Sequence, residues 1–165
     1  MRVFLHVLPI FVFLNKIKIM YSTVLDLHSY WAIAVLGLLF IAILNSFAGL
    51  SLKKPFLDRD RKIAMFALIF THVQLVIGII LLFVTPKLDA AKAAGMGALM
   101  KDPDLRKIFI EHPVTNVIAI VLITIGWSKH KKIEEDTKKF KSIAIFYTIG
   151  LVLLLSMIPW KQWLS

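Results

Sequence analysis

Apolar residues run in four long blocks, and polar residues collect between them. The blocks cover 27–50, 63–85, 108–127 and 142–159. Each approaches the roughly 20 residues needed to cross a bilayer. An isolated strand in lipid would leave its backbone groups unpaired, so the spans are expected to be helices. Local signals mark their ends. Thr85–Pro86 stops the second span and Pro159 closes the fourth. Asp102–Pro103 is a helix start that can bring the third span forward by a turn. The predicted fold is all-α: an integral membrane, up-down four-helix bundle formed by residues 20–165. In such a bundle the first and third helices run parallel and sit diagonally.

Two segments fall outside the spans. Val3–Leu14 is apolar but interrupted by His6 and Pro9, and it is too short to span comfortably. Residues 1–19 are therefore read as an N-terminal extension outside the working domain, since Met20 opens a natural start, MYSTVLDLHSYW; the alternative is a short interfacial helix. In the long middle loop, Ala90–Ala94 predicts a short surface helix that Gly95 and Gly97 break.

Composition agrees with a membrane protein. The 165 residues are 59% hydrophobic with a mean hydropathy of +0.80, too apolar to cover a soluble core. The net charge of +10 sits in loops. Lys53, Lys54, Arg59, Arg61 and Lys62 lie after the first span, and Lys129, Lys131, Lys132, Lys138, Lys139 and Lys141 after the third. The positive-inside rule makes these loops cytoplasmic. Both termini then face the outer, periplasmic side of a bacterial inner (cytoplasmic) membrane, crossed several times. Tyr30, Trp31, Trp160 and Trp163 are expected at the outer interface and Trp127 at the inner one. A basic balance of this kind reflects topology and lipid headgroups, so no nucleic-acid partner is expected. The chain has no cysteine. That excludes disulfides, iron–sulfur clusters, Cys-based zinc sites and covalent haem attachment.

The chemistry lies in three histidines at membrane depth: His28, His72 and His112. An ionisable side chain there needs a partner or a ligand. Stepping about 100° per residue places His28 on a face with Ala32, Val35, Leu39, Ala42, Ser46 and Gly49. His112 shares a face with Thr115, Asn116, Ala119, Gly126 and His130, expected to point into the bundle. Gln74 and Gly78 lie on a different face from His72. Helical rise puts His28, His112 and His72 at roughly 37, 25 and 15 Å from the basic end of their spans. His112 is thus the residue either of the others can approach. His28 is its preferred partner as a metal ligand, and His72 is the reserve. A structural His72 would hydrogen-bond to Thr or Gln. His130, among lysines, is expected to be solvated.

The strings LHSYWA, FTHVQLVIG, EHPVTN, ITIGWSKHKK and IPWKQW resemble a family of small four-helix membrane proteins of Bacteroidetes-type bacteria labelled "cytochrome B". The resemblance covers about residues 20–165. His72, Gln74 and Gly78 are also similar to one helix of haem A synthase, although Pro113 after Glu111–His112 departs from that pattern. The family resemblance implies non-covalent haem b, with His28, His72 and His112 as candidate ligands, and electron transfer. The expected partners are the lipid bilayer, a membrane quinone and another membrane redox subunit. The alternative is a non-redox assembly factor or accessory subunit of a larger complex.

Overall fold

The computed structural model describes residues 2–163, with side chains for Val12, 15–160 and Trp163. Every regular element among them is helical. Helix α1 runs Arg2–Ser51, α2 Asp58–Val84, α3 Lys87–Lys101 and α4 Pro103–Arg106. A π-turn, Lys107–Glu111, leads into α5, His112–His130; α6 covers Asp136–Met157 and α7 Trp160–Trp163. Four segments are long and apolar enough to cross a membrane: Asn15–Ser51, Asp58–Val84, Pro103–His130 and Asp136–Met157.

The ends follow local chemistry. α1 closes with Lys53 in the left-handed region at φ 48°. There Lys54 N–H donates to the Gly49 carbonyl at 3.1 Å and Lys53 N–H to Leu50 at 3.4 Å, the paired bonds of a Schellman motif. Asp58 and Asp60 fill the first turn of α2, where carboxylates favour the helix dipole. Asp102 Oδ1 caps α4 by accepting from Asp104 and Leu105 N–H, with Pro103 in the first turn. Gly95, at φ 79°, breaks α3; Gly97 does not. α1 reaches well beyond the first apolar block. It is one continuous helix from residue 2, so the described backbone of the extension continues the first span.

The long helices form a ring in the order α1, α2, α5, α6, and α2–α5 is its loosest side. Lipid tails are as apolar as the side chains, so close packing rather than apolar burial holds such helices together. Small residues provide it. Phe140 lies against Gly49, Phe146 against Gly126 and Ile123 against Gly150, each where a β-carbon would clash. The faces predicted to point inward do so: Val35, Leu39, Ala42 and Ser46 on α1, and Ala119, Gly126 and His130 on α5, are buried. Tyr147 crosses the bundle from α6, donating its hydroxyl to the Ala64 carbonyl of α2 at 2.9 Å.

At one end Phe56, between α1 and α2, packs on Phe140 and His130, so the two basic loops share that end. His130 is not solvated: it is 2% exposed, held by the Trp127 carbonyl and packed between Phe56 and Trp127, its ring tilted to both. Two tryptophans expected at interfaces are also drawn inward. Trp127 is buried, and Trp31 stacks on Phe70 at 4.6 Å while donating to its carbonyl. Tyr30 and Trp160 stay exposed.

Candidate functional site

The opposite end of the bundle carries the polar cluster. Its geometry begins with Pro113, which has no N–H and whose ring would crowd the carbonyl four residues back. The helix widens before it. His112 N–H donates to Lys107, five residues back, which makes Lys107–Glu111 a π-turn. Such turns are rare and frequent at functional sites. The extra residue sets the rotation at which His112 enters the bundle.

The ring of His112 is then fixed at both nitrogens. Nδ1 lies 3.0 Å from the Met157 carbonyl at the end of α6. A carbonyl only accepts, so Nδ1 carries the proton and Nε2 presents a lone pair. Asn116, one turn on, donates its amide to Nε2 at 3.0 Å. This tautomer settles the Asn116 amide orientation and turns Oδ1 away from the ring.

His28 approaches from the diagonal helix. Its ring centroid is 6.3 Å from that of His112, at 67° between planes. On its other side the ring meets α2 between Gln74 and Gly78, one turn apart. Gln74 Nε2 is 3.3 Å from each ring nitrogen and donates to the His28 backbone carbonyl at 3.0 Å. A β-carbon on Gly78 would come within 3.2 Å of His28 Cε1. Glycine therefore gives the imidazole its place. Gln74 Oε1 and Asn116 Oδ1 are buried with no hydrogen-bond partner. Both belong to this cluster, which the described side chains leave incompletely satisfied.

His72 is not brought to the pair. It is exposed on α2, with Nδ1 bonded to the Leu68 carbonyl at 2.8 Å and Nε2 3.5 Å from the Thr124 hydroxyl. Two residues turn a helix by about 200°, so Gln74 facing His28 requires His72 to face away. Sequence reading tied Gln74 and Gly78 to a His72 motif, whereas they serve His28. The available signal was their one-turn spacing on a face apart from His72. The Met157 carbonyl is the kind of backbone acceptor expected for a ligand histidine. Ser46, on the His28 face, donates within α1 to the Ala42 carbonyl.

Among the described residues no three His, Asp or Glu side chains converge on one point. The donor set is a pair of neutral imidazoles. A metal–imidazole bond of about 2.0 Å puts the centroids of two imidazoles on opposite sides of one metal roughly 6 Å apart. The His28–His112 separation fits that spacing, and the Nδ1–H to carbonyl bond of His112 is the usual support of a metal-ligating imidazole. Two imidazoles from diagonal helices are a donor set that could hold a haem iron, once Asn116 gives up His112 Nε2. A separate cavity of about 80 Å³ lies at the basic end, beside Asn45, Lys54 and Asp60. Its buried carboxylate is already bonded to Leu57 N–H and the Asn45 amide, so it carries no comparable chemistry. Compared with known proteins, the chain matches no family model, no curated protein and no solved structure.

Proposed function

We propose that this chain is a b-type haem-binding protein of a bacterial inner membrane that takes part in electron transfer. The observation that carries the reading is the meeting of His28 and His112 from diagonal helices with ring centroids 6.3 Å apart. His28 and His112 would hold the haem iron. When bound, haem would supply a one-electron couple, which suits electron transfer. The residues around it have separate tasks. Met157 holds the His112 tautomer, the π-turn sets its rotation, and Gly78 leaves room for His28. Asn116 must release Nε2 for that lone pair to reach a metal. His72 has no part in ligation. The resemblance to the "cytochrome B"-labelled family supports the same reading.

The basic loops lie at the end away from this cluster. With that end cytoplasmic, the histidine pair and both termini belong to the outer side. Purified protein made with ample haem should carry about one non-covalent haem b per chain by pyridine haemochrome assay. Protein free of haem would overturn the reading. The pair would then be a structural polar cluster, and an accessory subunit or assembly factor the better description.

A further inference from the structure

We infer that the cavity at the basic end binds the head group of an aminophospholipid, with its primary ammonium on Asp60 and its phosphodiester on Lys54 and Arg59. Neither the histidine pair nor haem takes part. Asp60 is 6% exposed, in the first turn of α2. Its Oδ2 accepts from Leu57 N–H at 2.9 Å and its Oδ1 from the Asn45 amide at 3.0 Å. A carboxylate oxygen has two lone pairs, so one on each remains free. Among the described residues no Lys, Arg or His forms an ion pair with Asp60. Arg61 and Lys62, next along the helix, both turn to Asp58, at 2.6 and 3.0 Å. A buried carboxylate without a cation is costly. Beside it lies a cavity of about 80 Å³, where roughly 10–15 Å³ suffices for one water, so a group of several heavy atoms can enter.

The rest of the lining selects the ligand. Lys54 and Arg59 are exposed at the same cavity and form no ion pair among the described residues. They repel a bare metal ion and call for an anion. Phe140 adds an aromatic wall, which suits a short alkylammonium. A ligand that answers all of these carries a cation and an anion a few bonds apart, as the head group of an aminophospholipid does. A trimethylated head group has no N–H to donate to Asp60, and a glycerol head group has no cation. Position favours a lipid over a soluble zwitterion. The cavity lies where the apolar block of α1 gives way to the basic loop, at the depth of head groups. One turn deeper than Asn45 on the same face of α1, Ile41 is exposed, and Leu57 is exposed at the cavity itself. Both offer apolar surface to an acyl chain.

The test uses full-length protein with ¹⁵N-labelled asparagine in nanodiscs of dioleoylphosphatidylcholine. Asn15, Asn45 and Asn116 are the only asparagines, so the Asn45 side-chain amide, bonded to Asp60, is a ready reporter. Replacing part of the lipid by dioleoylphosphatidylethanolamine should shift that amide saturably and leave the Asn116 amide in place. Dioleoylphosphatidylglycerol should act at least fivefold more weakly, and free phosphoethanolamine should give no shift. Asp60→Asn should abolish the preference for the ethanolamine over the glycerol head group. If that variant fails to fold, Lys54→Gln combined with Arg59→Gln decides: both side chains are exposed, and the folded double variant should respond at least fivefold more weakly. No saturable shift with the ethanolamine lipid, or an unchanged response in the double variant, would overturn the site. A stronger response to the glycerol lipid would reduce it to general attraction by basic loops, and an equal response to free phosphoethanolamine would make the ligand a soluble one; each contradicts the proposal.

Discussion

Packed between Phe56 and Trp127, His130 closes the basic end of the bundle as a core residue. His130→Ala should leave a cavity and cost about 2–4 kcal/mol of stability, by analogy with other large-to-small core changes. Thermal melts in detergent check this, with haem content unchanged because the ring is at the opposite end from His28. An unchanged melting temperature would show that the ring contributes nothing to the fold. The same residue shows what a sequence can convey at this scale. Helical periodicity placed His130 on the inward face with Ala119 and Gly126, correctly. Its lysine neighbours suggested solvation, wrongly, because local charge does not reveal that Phe56 arrives from a loop more than 70 residues away. His28 was legible for the opposite reason: its whole face, down to Ser46, is small or apolar and was bound to be buried.

At the scale of elements, span ends were readable wherever a capping or breaking residue sets them. Asp102–Pro103, Thr85–Pro86, Pro159 and Gly95 all act as their chemistry requires. The π-turn was not readable. Proline announces an interrupted ladder but not whether the chain kinks, starts afresh or widens by a residue. The widening matters, because it sets the direction of His112. Pro113→Ala restores an N–H and removes the crowding, so the segment should relax toward a regular α-helix. One residue of π-turn corresponds to about 100° of helix rotation. His112 should then lose the Met157 carbonyl, and haem should be retained at least tenfold more weakly in a haem-titration assay. Wild-type retention would mean that the π-turn persists without proline or plays no part in positioning.

For the whole molecule, four blocks of hydrophobicity and two basic loops carried most of the architecture, since in lipid only helices satisfy the backbone. The diagonal placement of α1 and α5 followed from up-down connectivity. What the pattern could not convey was which histidines meet, because that depends on helix rotation fixed by Gly78, Gln74 and the π-turn. Orientation is open to a direct check, since the chain has no native cysteine. A membrane-impermeant maleimide should label Lys92→Cys, in the middle loop, in intact spheroplasts. It should label Lys132→Cys, between α5 and α6, only after lysis. The reverse pattern would put the basic loops outside.

The central claim is that His28 and His112 together hold one haem while His72 stands apart. It is tested most directly by reduced-minus-oxidised visible spectra of purified wild type and the three alanine variants. The wild type and His72→Ala should show the same b-type bands. His28→Ala and His112→Ala should each lose them while still inserting in the membrane, because the apolar spans alone specify insertion. Loss in His72→Ala with retention in His28→Ala would contradict the pairing, and bands in none of the four proteins would contradict the claim entirely.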